Sequence, residues 1–352
     1  MSFVPKILLC GQMTEGSGHS QDAHMLSRVL NLLGYPHEYL NKSQLIRYSG
    51  THQWGAVILI GNITQIAEFH HKVQHHLGNL PIAAYAHWEL PNLPTSHALP
   101  KHSVHLFAPS RFAYEAYKKA GYEVTYLPPA LKAFSEVTPR VHTTNTFQVM
   151  CVANLHTWPE RKNVLASVRA FLTAFPKERD VHLFLKLSKL HANPEYARQI
   201  AALVDSESRI TVCEDRLDAK TLHARYRESQ VYLSLHRSEG FGYTIAEAML
   251  AHLPVVATSW SGSQDLMTLS AFGAVDYNLI ALTEDQYPGW NGQYWADPSV
   301  DHAASILRQL YGMPADSRDD LAQSVARELR KIFHIDALTF RYEQAIGALI
   351  RS

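Results

Sequence analysis

The chain has 352 residues, and its 32 basic and 32 acidic side chains give a formal net charge of zero. This balance provides no electrostatic basis for binding nucleic acid, and neither a basic arm nor an acidic tail is visible. With 46% hydrophobic and 18% charged residues, the composition is that of a globular protein with room for two domains. No apolar run reaches the roughly 20 residues that a membrane-spanning helix needs.

The first apolar run is too short for a signal peptide, and it predicts a buried strand at 6–10. Three cysteines, Cys10, Cys151 and Cys213, are widely spaced and set among apolar residues. Their odd number and spacing favour buried, reduced thiols over a disulfide framework or a metal site. We therefore expect a cytoplasmic protein.

Strand and helix signals alternate from residue 6 to residue 127, which is typical of a parallel α/β sheet. Ser110 is a predicted helix N-cap, and Gly121 follows the end of the same helix. The predicted strands are 6–10, 56–60, 81–85, 106–108 and 124–127, and the predicted helices are 20–33, 63–77 and 111–120.

Residues 135–146 are rich in threonine and lack an apolar period, so they are the predicted hinge between two domains. A second alternating set follows. Its predicted strands are 147–153, 181–187, 210–213, 231–235 and 255–257, and its predicted helices are 164–175, 195–203, 219–229, 244–251, 301–310 and 321–332. The predicted fold class is α/β, with two doubly wound, Rossmann-like parallel-sheet lobes that face each other across a ligand-binding cleft.

The most informative motif holds two carboxylates, Glu239 and Glu247, separated by seven residues in a glycine-containing turn and the helix that follows. Gly240 and Gly242 allow the backbone to approach a ligand closely, and the amides of the helix start favour a diphosphate. Glu239 can accept hydrogen bonds from sugar hydroxyls, and Glu247 can accept two from a ribose diol. Alternatively, Thr244 and Glu247 form a capping box, in which Glu247 satisfies backbone donors.

This motif, with the segment 251–258 and the turn Ser261-Gly262-Ser263, resembles the signature of family 4 glycosyltransferases of the GT-B fold. The resemblance is closer over 149–267 than over 11–128. It implies retaining transfer of a sugar from a nucleoside diphosphate to a hydroxyl acceptor. It also implies a final helix at 338–350 that crosses back onto the first lobe, so the expected domains are 1–136, 147–332 and this helix within 333–352.

Basic residues are expected to stabilise the departing diphosphate. The segment 160–163 resembles the family's phosphate clamp, with Lys162 as the main contact and Arg161 beside it. The family's Gly-Arg pair is replaced by Ala153-Asn154. Lys186 is the candidate for the missing positive charge, although Lys186 and Arg161 could equally be surface side chains.

In the first lobe, Gly16 and Gly18 resemble the family's glycine-rich loop, where small residues leave room for acceptor and leaving group. His87 lies in a Trp-Glu-Leu-Pro context that resembles some family members, and it is the candidate for contacting the transferred sugar. A structural role beside Trp88 is the alternative. The histidines of segment 70–76 have a spacing that can chelate zinc, and we interpret them as a polar helix face.

The resulting site prediction has a catalytic group and a donor-binding group. The predicted catalytic residues are Glu239, Lys162 and His87; the predicted donor-binding residues are Glu247, Gly240, Phe241, Gly242, Tyr243, Thr244, Arg161, Lys186, Gly16 and Gly18. No Asp-x-Asp occurs, so we predict no metal and no cofactor other than the nucleotide-sugar substrate.

The expected partners are a nucleotide-sugar donor and a saccharide or lipid-linked acceptor, as in polysaccharide biosynthesis. A lipid-linked acceptor would bring the protein to the inner face of the membrane, although no lipidation motif supports this contact. Two alternatives from other classes are a non-catalytic nucleotide-sugar or glycan-binding module and a dinucleotide-dependent oxidoreductase. The second is weakened because Gln21 stands where a dinucleotide fingerprint needs its third glycine.

Overall fold

A computed structural model describes residues 5–11, 18–47, 54–94, 98–131, 146–156, 158–284 and 286–352. The chain forms two compact units. The first unit contains Met1–Lys132 and Lys331–Ser352, and the second contains Ala133–Arg330. The predicted hinge lies outside the described residues apart from Thr146.

The first unit is a parallel α/β sheet. In chain order it is built from β1 (Lys6–Gly11), α1 (Gly18–Leu32), β2 (His37–Asn41), α2 (Lys42–Arg47), β3 (Trp54–Asn62), α3 (Ile63–Leu77), β4 (Ile82–His87), β5 (Val104–Ala108), α4 (Arg111–Lys119) and β6 (Val124–Tyr126). Across the described residues, six parallel strands lie in the order β2-β1-β3-β4-β5-β6. The order changes direction between β1 and β3, and ligands of such sheets bind at the carboxyl ends of the strands beside this switch point.

The second unit contains another parallel α/β sheet and a hairpin. Its elements are β7 (Phe147–Asn154), α5 (Pro159–Lys162), α6 (Val164–Ala174), β8 (Val181–Ser188), α7 (Pro194–Val204), β9 (Ile210–Cys213), α8 (Ala219–Glu228), β10 (Val231–Ser234), α9 (Tyr243–Leu250), β11 (Val255–Thr258), α10 (Gln264–Met267), β12 (Ala274–Val275), β13 (Tyr277–Ala281), β14 (Tyr294–Pro298) and α11 (Val300–Gly312). Within the described ranges, the parallel strands lie in the order β12-β11-β10-β7-β8-β9. The switch point is therefore between β7 and β10. The predicted α/β class with two parallel sheets is confirmed.

Two further helices follow, α12 (Ala315–Phe333) and α13 (Ile335–Arg351). Helix α13 belongs to the first unit, where the hydroxyl of Tyr342 donates to the backbone oxygen of Pro128 at 2.8 Å and contacts the sulfur of Met25 at 3.3 Å. Leu338 and Ile346 of this helix join the apolar core beneath β1 and β3. Across the described ranges, no helix combines the length and apolar character that crossing a membrane requires.

The three cysteines are free thiols, as predicted. Burial raises the pKa of Cys10 and of Cys151 to about 12, so both are protonated at neutral pH. Cys213 is only half-buried, and the expectation of burial is wrong for this residue. The physical reason is its place on β9, the edge strand of the second sheet.

Candidate functional site

Two loops meet at the switch point of the second sheet. The loop after β7 carries α5, with Arg161 and Lys162 in its last turn, and the loop after β10 carries Glu239. The backbone amide of Arg237 donates to the backbone oxygen of Arg161 at 2.8 Å, which ties the two loops together. Glu239 is thereby brought into contact with Lys162 and Arg161, which lie 77 and 78 positions before it in the sequence.

The carboxylate of Glu239 is paired with both basic residues of α5. Lys162 Nζ lies 2.5 Å from Glu239 Oε1, and Arg161 Nη1 lies 3.3 Å from Glu239 Oε2. Arg161 Nη1 also donates to the backbone oxygen of Ser238 at 2.7 Å. Burial raises the pKa of Glu239, but the charges of Lys162 and Arg161 outweigh burial and hold this pKa at about 2. The site therefore contains one ionised acid between two cations.

The backbone of Glu239 is held on both sides by the turn after β11. Its N–H donates to Ser261 Oγ at 2.8 Å, and its carbonyl accepts from the amide of Gly262 at 2.8 Å. A Cβ atom at position 262 would lie 2.1 Å from the backbone oxygen of Gly240, a distance that no side chain can occupy. The two loops are thus in direct backbone contact, and Gly262 is required there.

A neutral histidine lies beneath this loop. Fully buried His236 has Nδ1 3.1 Å from Ser234 Oγ and Nε2 2.7 Å from Ser263 Oγ. Ser263 Oγ also lies 2.9 Å from the backbone oxygen of Trp260, to which its hydroxyl donates. Burial lowers the pKa of His236 to about 4 despite the nearby charge of Glu239. Sequence reasoning did not single out this residue.

Helix α9 begins at Tyr243, and Gly242 is its N-cap at φ 98° without a side-chain cap hydrogen bond. The capping-box alternative is therefore wrong, because Thr244 lies inside the helix instead of at the cap. Glu247 Oε2 accepts a hydrogen bond from the hydroxyl of Tyr226 at 3.3 Å. Glu247 thus makes a side-chain contact with Tyr226 from the first turns of α9.

The remaining predicted residues of the motif differ in exposure. Phe241 is 1% exposed and its ring lies 5.3 Å from that of half-buried Tyr243, so Phe241 packs in the protein interior. Gly240 is buried under the turn after β11. The Phe241 ring is therefore part of the protein interior and does not line the surface of this loop.

Lys186 lies on β8, one strand away from the switch point, and is buried. Its Nζ donates to Ser188 Oγ at 3.1 Å. Burial lowers the pKa of Lys186, and the acidic groups of Cys213, Asp215 and Glu214 oppose this effect. Lys186 therefore stands beside the loop after β9.

In the first unit, His87 is the last residue of β4 and is 6% exposed. Its Nε2 lies 2.8 Å from Oδ2 of fully buried Asp22, and Nδ1 of His19 lies 3.8 Å from the same oxygen. Burial raises the pKa of Asp22. The nearby His87 and His19 lower it by more than burial raises it, and the resulting pKa is about 2. Gly18 begins α1 and is exposed, whereas Gly16 lies outside the described residues.

Sequence reasoning missed Asp22. The available signal was a lone carboxylate on the otherwise apolar face of α1, in line with Leu26 and Val29 at i, i+4 and i+7. Trp88, the proposed structural neighbour of His87, is fully buried and donates from Nε1 to the backbone oxygen of Asn92 at 2.9 Å. The His87 ring contacts Asp22, a partner distant in sequence, and its centroid lies 5.5 Å from that of the His19 ring.

A family model described as "Family 4 Glycosyltransferase in conflict systems" matches residues 110–331, more than half of the chain. The chain belongs to this family. The match includes α5, Glu239 and Glu247, so the residues of the switch-point site all lie in the matched region. No curated protein sequence matches the glycosyltransferase significantly.

Solved structures similar to the glycosyltransferase include Anabaena HepE in complex with UDP and glucose, at 14% identity and a TM-score of 0.65, with 98% of this chain and 100% of that chain covered. An α,α-trehalose-phosphate synthase (UDP-forming) from Burkholderia vietnamiensis has 11% identity and a TM-score of 0.66, with 100% of both chains covered. Pneumococcal O-GlcNAc transferase GtfA, in complex with UDP and GlcNAc, has 15% identity and a TM-score of 0.56, with 94% of this chain and 61% of that chain covered. The glycosyltransferase has the GT-B fold.

Proposed function

We propose that this glycosyltransferase moves a hexosyl group from a UDP-sugar to a hydroxyl of a saccharide or lipid-linked saccharide, with retention of anomeric configuration and without a metal ion. The observation that carries the proposal is the ionised carboxylate of Glu239, held between Lys162 and Arg161 at the switch point of the second sheet. UDP is the proposed carrier because HepE and GtfA both bind UDP together with a sugar.

The charges of the site suit a donor with a negative and a neutral end. Arg161 and Lys162 carry two positive charges against the one negative charge of Glu239, so the cluster has a net positive charge. A bound diphosphate competes with Glu239 for Lys162, and the released carboxylate can accept hydrogen bonds from hydroxyls of the donor sugar. Lys162 then stabilises the charge that grows on the diphosphate as the glycosidic bond breaks. No divalent cation is needed for that role.

Glu247 is the proposed ribose ligand, with Tyr226 holding its carboxylate by the hydrogen bond at 3.3 Å. The backbone amides at the start of α9, near Tyr243 and Thr244, are the proposed diphosphate donors, because Gly242 caps this helix without a side-chain oxygen. Lys186 remains the proposed additional positive charge. Its place beside Asp215 and Glu214 puts it next to the loop after β9, which is the proposed place of base recognition.

The first unit is proposed to supply His87 for the transferred sugar and Gly16 and Gly18 for the space around the acceptor. In a retaining reaction the donor phosphate would help to deprotonate the acceptor hydroxyl, so the protein itself needs no general base. A lipid-linked acceptor would place the enzyme at the inner face of the membrane during the assembly of glycans.

A thermal-shift screen of UDP, GDP, ADP and their common sugar conjugates tests the donor. We expect UDP and one UDP-hexose to give the largest shifts, since only ligands that bind the folded state stabilise it. Lys162→Met should reduce these shifts, and Lys220→Met, which changes an exposed lysine on α8, should leave them unchanged. A larger shift with GDP or ADP would remove UDP from the proposal.

Donor hydrolysis separates an enzyme from a non-catalytic binding module. The enzyme should release UDP slowly from its donor without acceptor, and a pure binder should show stabilisation without release. Analysis of the released anomer or of the product linkage then decides retention. Full activity after treatment with a chelator supports metal independence, and complete loss of activity would contradict it.

A further inference from the structure

We infer that His19, Asp22 and His87 form a binding site for one divalent transition-metal ion of the zinc class. The three side chains each offer one ligand atom, and these atoms all lie within 4.8 Å of one another. The site lies in the first unit and shares His87 with the residues proposed to contact the donor, whereas Arg161, Lys162 and Glu239 take no part in it. It goes beyond the proposed function and does not depend on it.

The distances are close to those of a tetrahedral centre. Ligand atoms at zinc bond lengths of roughly 2.0–2.1 Å are about 3.3 Å apart in a tetrahedron. Asp22 Oδ2 is 2.8 Å from His87 Nε2 and 3.8 Å from His19 Nδ1. To hold the ion, side-chain rotations would open the first distance and close the second by about half an ångström, and would bring His19 Nδ1 and His87 Nε2, which lie within 4.8 Å of each other, to the same separation.

A buried nitrogen points to a ligand at this position. Nδ1 of His19 is shielded from solvent, and among the residues that the structure describes its nearest acceptor is Asp22 Oδ2 at 3.8 Å, which is too long for a good hydrogen bond. A buried polar atom without a partner costs free energy, and a metal bond to its lone pair would remove that cost. The His19 side chain as a whole is 29% exposed, so this edge of the cluster borders solvent.

The donor set selects the class of ion. Two imidazoles and one carboxylate favour zinc and similar transition metals over magnesium and calcium, which prefer oxygen ligands alone. Three protein ligands also leave one coordination position open. His19 and Asp22 are one turn apart on α1, and His87 ends β4, so two regular elements hold the ligands in place.

Surface histidines could bind metal by themselves and must be removed from the test. His71 and His75 are exposed on α3 at i, i+4 spacing, which can chelate zinc. The parent for the experiment is therefore the full chain with His71→Ala and His75→Ala. Co²⁺ is the probe, because its visible absorption reports both stoichiometry and tetrahedral geometry.

Titration of this parent with Co²⁺ should show one tetrahedral ion per chain. His19→Ala should weaken binding by at least about 100-fold, since loss of an outer-shell partner alone costs roughly 10–100-fold. His24→Ala is the matched control on an exposed position of the same helix, and it should bind like the parent. A parent that binds no Co²⁺, or His19→Ala binding with parental affinity, overturns the inference.

Asp22→Asn provides a second ligand variant. Because Asp22 is fully buried, circular dichroism must first show that the variant is folded; His19→Ala decides the question if it is not. Co²⁺ binding is measured without substrate. A chain that does not bind Co²⁺ would therefore not contradict the proposed transferase function, and a chain that is inactive in transfer would not contradict the metal site. Because the ion and the transferred sugar would share His87, Zn²⁺ should inhibit transfer, a consequence that does rest on the proposed function.

Discussion

The ammonium nitrogen of Lys162 lies 2.5 Å from a carboxylate oxygen of Glu239. These are the residues to which we assign the two ends of the donor, the diphosphate and the sugar. A donor that contacts both must separate them. The ion pair is therefore a competitor of the substrate, and its free energy is subtracted from that of donor binding.

Glu239→Gln and Lys162→Met are each expected to lower kcat by roughly 10²–10³-fold, the usual cost of losing one group that stabilises developing charge. The two should differ in their affinity for UDP alone. Lys162→Met should weaken UDP binding, whereas Glu239→Gln should strengthen it several-fold because the carboxylate no longer competes for Lys162 and Arg161. Initial rates and isothermal titration check both. Unchanged turnover in either variant removes that residue's assignment.

Acid should weaken the Glu239 ion pair. The folded-state pKa of Glu239 is lowered from 4.5 to about 2, so its stabilising contribution is complete above pH 4.5 and is lost as pH falls towards 2. At about 1.36 kcal/mol per pKa unit, the contribution is at most about 3 kcal/mol. The difference in unfolding free energy between wild type and Glu239→Gln should therefore shrink as pH is lowered through this window. A difference that stays constant with pH contradicts the ion pair.

His236 should make stability depend on pH in a higher window. Its folded-state pKa is lowered from 6.5 to about 4, so the unfolded chain binds the extra proton between these values and stability rises with pH. Relative to His236→Gln, wild type should lose about 2 kcal/mol between about pH 7.5 and about pH 5. Urea unfolding at both pH values measures this loss. Equal losses in both proteins would mean that another group titrates.

Gly262→Ala should disrupt the contact between the two loops of the site. The added Cβ would lie 2.1 Å from the backbone oxygen of Gly240, so the Glu239 loop must shift. We expect a stability loss of about 1–3 kcal/mol, as for overpacked sites, and donor affinity reduced by about tenfold or more. Gly312→Ala is the matched control, since nothing lies within 4 Å of the Cβ it would add. Equal behaviour of the two variants would contradict the steric argument.

Tyr226→Phe should affect donor binding more than turnover. It removes the hydrogen bond to Glu247 at 3.3 Å, and a loss of about 0.5–1.5 kcal/mol corresponds to a two- to tenfold increase in donor KM. Tyr311→Phe removes a similar hydroxyl contact, 2.9 Å from Asp180 Oδ2, and should leave KM unchanged. An unaltered KM in Tyr226→Phe would show that Glu247 does not depend on this hydroxyl.

Local sequence signals predicted most of the regular elements. The predicted helix 63–77 agrees with α3 because Asn62 caps its start and Gly78 follows its end. Strand β2 was missed, since His37–Asn41 is a short, largely polar edge strand without an apolar alternation. The hairpin of β13 and β14 was also missed, because its pairing depends on contacts between strands and not on a local pattern.

The site was predictable where its residues are neighbours in sequence. Glu239 and Glu247 stand in one string, and their spacing alone marks them. The contact between Lys162 and Glu239 joins residues 77 positions apart and exists only because β7 and β10 are adjacent in the sheet. The pairing of His87 with Asp22 likewise needs the end of β4 to meet α1, information that no local motif carries.

The turn after β11 holds the backbone of Glu239 on both sides, through Ser261 and Gly262, whereas its carboxylate, within the described part of the chain, is bound by the side chains of Lys162 and Arg161. Exchange of Lys162 for a sugar hydroxyl therefore needs rotation about side-chain bonds alone. Such rotations take picoseconds to nanoseconds, far less than loop rearrangements. Capture of the donor in the second unit should proceed at the speed of diffusion and show no slow conformational phase after rapid mixing.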